Sequence, residues 1–173
     1  ITFDSAPDYE TKTSYSVTVN VSDGSNTTLQ ALTINITNVN ETSPVITGLA
    51  SSVSVEENQT TVVTVSASDG DTGDTLTYSL SGTDASAFTI NSSSGAITFN
   101  SAPDYETKDT YAIVAEVSDG TNTDTQALTI TITDIDEVGN APVITSSALI
   151  SVEENQIAVG TVTATDSDGD TLT

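Results

Sequence analysis

Gln126-Ala127-Leu128-Thr129-Ile130-Thr131-Ile132-Thr133 is the stretch that decides the class of fold. Leu128, Ile130 and Ile132 fall on one side of an extended chain and Thr129, Thr131 and Thr133 on the other, the period-two pattern of a half-buried β-strand. The same alternation recurs upstream at Val17, Val19 and Val21, at Val63, Val65 and Ala67, and at Leu76, Tyr78 and Leu80. Phe88-Thr89-Ile90 and Ile97-Thr98-Phe99 flank Asn91-Ser92-Ser93-Ser94-Gly95, a turn-rich stretch that predicts a hairpin. Val, Ile and Thr suit a pleated surface because β-branched side chains lose rotamer freedom in helices and pack well on sheets. Helical periodicity extends over no useful length. Some seven short strands punctuated by turns predict a sandwich or a barrel.

That strand has an earlier copy. Gln30-Ala31-Leu32-Thr33-Ile34 matches Gln126 to Ile130, Ser22-Asp23-Gly24 matches Ser118-Asp119-Gly120, and Ile1 to Lys12 matches Ile97 to Lys108 with one change, all at an offset of 96. Over the first 37 residues, 25 positions match their partners. Val55-Glu56-Glu57-Asn58-Gln59 recurs as Val152 to Gln156 at an offset of 97. A period of this length is one whole β-sandwich, so each repeat is a domain and not a solenoid coil. Placing the joins just before Pro44 and Pro142 divides the chain into the back of one repeat (1–43), a complete repeat (44–141) and the front of a third (142–173). The two end pieces together lack a counterpart of Tyr78 to Ala96. The chain is therefore expected to be a segment of a longer array.

Charge narrows the function. Among 173 residues there are 25 acids against two lysines, no arginine and no histidine, for a net charge of −23. Such a chain has nothing to displace counterions from nucleic acid and no basic patch for an anionic membrane surface. No apolar run reaches the roughly 20 residues of a membrane helix, so no membrane insertion is expected in this window. Cysteine is absent, which excludes disulfides and Cys/His zinc sites. Without His there is no Ser/His pair for nucleophilic catalysis, and Asp104 with Glu106 lacks the substrate-stacking aromatics of a glycosidase acid pair. The chain reads as a non-enzyme.

The acids gather in loop motifs at the edges of apolar runs: Glu56-Glu57-Asn58, Asp104-Tyr105-Glu106, Asp134-Ile135-Asp136-Glu137 and Asp166-Ser167-Asp168-Gly169-Asp170. Calcium takes six to eight oxygens from carboxylates, carbonyls and Asn, and loops converging at the end of a sandwich supply them. Taken in order, the motifs of the middle repeat resemble a cadherin repeat. Glu57-Asn58 comes first, then Ala67-Ser68-Asp69-Gly70-Asp71 in the place of the family's Ala-Thr-Asp-x-Asp. Asp104-Tyr105-Glu106 and Ser118-Asp119-Gly120 follow, and Asp134 to Pro142 resembles the linker Asp-x-Asn-Asp-Asn-x-Pro. The resemblance implies a seven-stranded Greek-key β-sandwich, cadherin- or immunoglobulin-like and repeated in tandem, with Ca2+ bound where repeats meet. Near-identical repeats and the lack of Cys, Met and Trp make it look most like the cadherin domains of bacterial-type surface adhesins or fibres.

By position, the resemblance assigns Glu57, Asp104 and Glu106 to the second junction, joined by Asp134, Asp136, Glu137 and Asn140 of the linker, the backbone oxygen of Ile135, and Asp166 and Asp168 of the following repeat. The first junction receives Asp8, Glu10, Asn38, Asn40 and Glu41, then Asp69, Asp71 and Asp119. Its linker departs from the family: Asn38 replaces an Asp, Glu41 replaces an Asp, and no Asn stands before Pro44. The linker at 134–142 carries two extra residues. The first junction is therefore expected to hold fewer ions or hold them more weakly. The mechanism implied is mechanical: calcium fuses repeats and linker into a stiff extracellular stalk of a secreted or cell-surface adhesion protein. Its partners would be calcium, neighbouring repeats, and other cell-surface proteins or like chains in a filament.

Two other readings compete with this one. Asp166 to Asp170 begins like an EF-hand loop, but Thr171 occupies the sixth position, where that loop needs Gly, and the surroundings are strand-like. The second rival is a module binding polysaccharide, ice or a protein partner through flat Thr arrays, although exposed aromatic platforms are scarce.

Overall fold

The computed structural model describes residues 1–135, 139, 141–166 and 171–173. Its strands are β1 (Ser14–Ser22), β2 (Thr27–Asn35), β3 (Val45–Thr47), β4 (Ser52–Glu56), β5 (Thr61–Thr64), β6 (Ser66–Ser68), β7 (Thr77–Ser81), β8 (Phe88–Ile90), β9 (Ala96–Phe99), β10 (Thr110–Ser118), β11 (Thr123–Thr133), β12 (Val143–Ile144) and β13 (Ala164–Thr165). A 3-10 turn, Ala85–Ala87, precedes β8. No helix among the described residues is long and apolar enough to cross a membrane.

Residues 45–133 form two facing sheets. One has the order β4-β11-β10-β7, with β4 parallel to β11 and the other pairs antiparallel. The other is built from β5-β9-β8 and the short pair β3-β6. Only Val65 separates β5 from β6, and a register shift between Thr61 and Val63 bends the strand there. β3 and β4 are likewise two parts of one opening strand, which pairs with β6 in one sheet and then crosses to β11 in the other. Counted this way the sandwich has seven strands. Two side chains of β11 hold the crossing in place: Asp124 accepts the Ile46 N–H at 2.8 Å, and Gln126 donates to the Leu49 carbonyl at 2.6 Å.

The apolar face read from Leu128, Ile130 and Ile132 is buried against Val55, Val65, Phe88, Ile97, Phe99, Ile113 and Ala115, while Thr129, Thr131 and Thr133 face out. Each of the Val, Leu, Ile and Phe side chains removed from water contributes roughly 1.5–3 kcal/mol. Phe88, Phe99 and Tyr111 add a three-ring cluster with centroids 4.3, 5.5 and 5.2 Å apart. The predicted hairpin forms as β8–β9, pairing Phe88 with Phe99 and Ile90 with Ile97. Asn91 organises its turn by accepting the N–H groups of Ser93 and Ser94. Gly95 is required there: its φ is +71°, and a Cβ would stand 2.3 Å from the Val65 carbonyl oxygen. That approach lets Val65 N–H reach the Gly95 carbonyl at 2.9 Å, tying the bent strand to the hairpin.

β1 and β2 pair antiparallel from Ser14–Asn35 to Ser22–Thr27, the register of β10 and β11 moved by 96 positions. Their apolar side chains have no second sheet against them among the described residues. Val21 is accordingly 65% exposed, whereas its counterpart Val117 is fully buried.

Candidate metal centre

The carboxylates converge because strand ends and turns bring them to the two ends of the sandwich. At the end formed by β4, β11 and the 103–106 turn, Asn58 adopts a left-handed φ of 62°, a conformation Asn tolerates better than most residues. The preceding side chain, Glu57, then points inward and is 2% exposed. Its Oε1 accepts the Ile135 N–H at 2.9 Å and its Oε2 the Tyr105 N–H at 2.9 Å. Asn155, in the later copy of the motif, has the same left-handed φ, 67°.

Oxygens of Glu57, Glu106 and Asp134 lie within 4.8 Å of one another. A hydrogen bond from its own backbone N–H draws the Glu106 carboxyl down in pKa. Desolvation and the charges of Glu57, Asp134 and Asp104 outweigh that bond and push it above its ordinary value. Asp104 stands near this group but spends both oxygens on its own turn, accepting the N–H and hydroxyl of Thr107 at 3.0 Å each. Asp8 and Thr11 build the same turn one repeat earlier, with distances of 3.2 and 2.9 Å, and its hydrogen bonds to Thr11 hold Asp8 below its ordinary pKa. Asp136, Glu137, Asn140 and Asp168 lie outside the described residues. Asp166, just beyond β13, belongs to none of the acidic groups that the described residues form.

At the opposite end two groups form. Glu10, Glu41 and Asp71 make one, and Asp69, Asp74 and Asp119 the other, again with oxygens within 4.8 Å in each. Asp69, Asp71, Asp119, Glu10 and Glu41 were all expected here. Asp74 was not, although Asp69-Gly70-Asp71-Thr72-Gly73-Asp74 carried the signal of a third acid on the same turn. Asp71 is buried, and its Oδ2 accepts the Glu41 N–H, the Thr42 N–H and the Thr42 hydroxyl. The Thr42 amide is the chief cause of its lowered pKa. Asp119 is lowered chiefly by the Asn122 N–H. Asp74 goes the other way: burial first, then the charges of Asp71, Asp69, Asp119 and Glu10, raise it. Asn38 donates to the Thr72 carbonyl at 3.0 Å and Asn40 to Asp74 at 2.8 Å, so both linker amides act here as donors. From the first repeat, Glu10 reaches across to accept the Thr72 N–H at 3.2 Å.

One atom stands out. Asp69 Oδ2 is buried without a hydrogen-bond partner among the described residues, beside the carboxylates of Asp74 and Asp119. A buried, unpaired oxygen on an Asp that is grouped with two more carboxylates is costly unless a cation joins them. The chain cannot supply that cation itself. Lys12 lies over the Tyr15 ring at 4.3 Å, and Lys108 lies over Tyr111 at 4.6 Å while pairing with Asp84. A donor set of carboxylate, amide and backbone oxygens, with no nitrogen or sulfur, suits a hard divalent ion.

Residues 51–137, half of the chain, match the cadherin domain family. The chain belongs to that family. Human Protocadherin Fat 4 is 33% identical over 166 residues, covering 90% of this chain and 3% of that protein. The protocadherin-like wing polarity protein stan of Drosophila melanogaster is 34% identical over 157 residues, covering 82% of this chain and 4% of its own length. Among solved structures, mouse Cadherin-23 EC22-24 superposes with a TM-score of 0.72 at 26% identity over 94% of this chain and 56% of that one. The cadherin chain thus spans only a few per cent of the two relatives' lengths. Both are animal proteins, so they lend no support to a bacterial-type origin.

Proposed function

We propose that the chain is a calcium-stiffened stretch of tandem cadherin repeats, part of the extracellular stalk of a cell-surface adhesion protein. Repeat boundaries just before Pro44 and Pro142 fit this role, because Glu10 of the first repeat, Glu41 of the linker and Asp71 of the second repeat then share one acidic group. The observation that carries the reading is Asp69 Oδ2, buried and unpartnered among the carboxylates of Asp74 and Asp119, with both lysines engaged elsewhere. At the first junction Asp69, Asp74, Asp119, Glu10, Glu41 and Asp71 would hold the ion, and at the second Glu57, Glu106 and Asp134. A bound divalent cation supplies the positive charge that lets these carboxylates stay together. The protein's own part is to hold them: backbone N–H groups orient Glu57 and Asp71, and the Asx turn of residues 119–122 fixes Asp119.

The reading is non-enzymatic, in keeping with an adhesion family. The partners proposed for it are calcium ions, neighbouring repeats of the same chain, and other cell-surface proteins or like chains in a filament. A bacterial-type fibre rests on composition alone. A sugar-binding role is not favoured, because Phe88, Phe99 and Tyr111 are packed against one another, two of the pairs edge to face, and not displayed as a platform.

Calorimetric titration of the metal-stripped chain tests the proposal. Saturable Ca2+ binding is expected, weakened by Asp69→Asn and not matched by Mg2+ at the same concentration. Heat of dilution alone up to millimolar Ca2+ would overturn it.

A further inference from the structure

The first linker is fastened to the following repeat by side chains that carry no charge. Thr42 stands where the family has an Asn. Its hydroxyl lies 3.0 Å from Asp69 Oδ1 and 2.8 Å from Asp71 Oδ2, and its N–H donates to the same Asp71 oxygen at 2.8 Å. The seat is close: a Cβ on Gly70 would stand 3.0 Å from the Thr42 hydroxyl oxygen. From the other side, Asn122 Nδ2 lies 3.0 Å from Asn40 Oδ1, 3.0 Å from the Thr42 carbonyl and 3.3 Å from Asp119 Oδ2. One amide nitrogen thus sits among three oxygens contributed by the linker and by the 119–122 turn. Asn40 completes the set by donating to Asp74 at 2.8 Å.

We propose that Thr42 and Asn122 are positioning residues for the cation site. They dock residues 40–42 on the second repeat and gather its oxygens before any ion arrives. The idea rests on the calcium reading for its purpose but not for its geometry. A tie made of neutral donors neither repels the carboxylates nor depends on salt, so it persists when the ion is removed. Calcium then has less ordering to do at this face, and its larger mechanical effect falls on the side of the first repeat, where Glu10 reaches over. The turn at Asp23 and Asn26 shows that the Asn of residues 119–122 first serves its own loop, since Asn26 bonds Asp23 in the same manner. At Asn122 that side chain has gained linker partners as well.

Amide hydrogen exchange on the whole chain tests this directly, comparing wild type, Thr42→Val, Thr42→Ser and Asn122→Ala, each stripped of metal and then saturated with Ca2+. Without metal, the Glu41 and Thr42 amides of the wild type are expected to be protected. Thr42→Val and Asn122→Ala should lower that protection by about tenfold, since each removes bonds that hold a locally opening segment. Thr42→Ser, which keeps the hydroxyl, should retain it. Saturating Ca2+ should bring all four chains to similar protection. The β10 and β11 amides serve as the control for folding. Free exchange at Glu41 and Thr42 in the metal-stripped wild type, or unchanged protection in both Thr42→Val and Asn122→Ala, would overturn the proposal. Protection that depends on Thr42 and Asn122 but never responds to Ca2+ would leave the latch standing and remove the calcium reading.

Discussion

Replacing Glu57 separates hydrogen bonding from charge repulsion at the second junction. This carboxylate is 2% exposed and accepts two backbone N–H groups, from Tyr105 and Ile135, each at 2.9 Å. Glu57→Gln keeps the shape but presents one oxygen and one NH2, so one backbone donor loses its acceptor and faces another donor. A charge-assisted hydrogen bond contributes about 1.5–3 kcal/mol. Removing a negative charge beside Glu106 and Asp134 relieves some repulsion and offsets part of that loss. The expected net destabilisation without metal is about 2 kcal/mol. With a urea m-value of about 1.5 kcal/mol/M, the unfolding midpoint should fall by about 1–2 M. Glu57→Ala strands both donors and should cost about 3–5 kcal/mol. Urea denaturation of the metal-stripped chains, followed by circular dichroism, measures both. A Glu57→Gln midpoint equal to or above that of the wild type would refute the reasoning, because repulsion would then dominate at this carboxylate.

Three further outcomes are expected. Gly95→Ala meets the Val65 carbonyl at 2.3 Å and keeps a left-handed φ, so thermal melting should show a loss of about 2–4 kcal/mol; an unaltered melting temperature would count against the strand-to-hairpin contact. Asp74→Asn removes a carboxylate from the group that includes the unpartnered Asp69 oxygen, so it should raise metal-free stability while weakening calcium binding in calorimetry. The third outcome concerns pH. Asp74 is held above the ordinary 3.8 and Glu106 above the ordinary 4.5, so the folded chain binds these protons more readily than the unfolded one. Metal-free stability should therefore rise as pH falls from neutrality through those raised values. Asp71 and Asp119, held below 3.8, stabilise the fold above that pH and lose their contribution as pH falls through their folded values. Melting temperature against pH, with metal removed, should pass through an acid maximum; a steady fall from pH 7 downward would contradict the sign.

The strands were legible because alternation reports burial directly: Val17 to Val21 and Leu128 to Ile132 lie wholly in strands, while Val65 falls at the break between β5 and β6 and Leu76 just before β7. The crossing of the opening strand between sheets was not legible. It depends on Asp124 and Gln126 meeting Ile46 and Leu49 some 77 or 78 residues away, and no local pattern records that. At the site, motif resemblance brought out Glu57, Asp69, Asp71 and Asp119, whose spacing is fixed by the turns they occupy. Thr42, Asp74 and Asn122 escaped because Thr and Asn are common in ordinary turns and their partners lie on other loops. Asp8 and Asp104 show the converse: their motif is prominent, yet the structure first spends both of their oxygens on a neighbouring Thr.

If divalent cations turn the clustered carboxylates into stiff junctions, small-angle X-ray scattering of the whole chain should register it between chelator and millimolar Ca2+. With Ca2+ the chain should show a longer maximum dimension and a narrower distribution of shapes, reversed by chelator and blunted by Asp69→Asn. Identical scattering curves in the two conditions would contradict it, leaving the sandwich intact and the acids without a mechanical role.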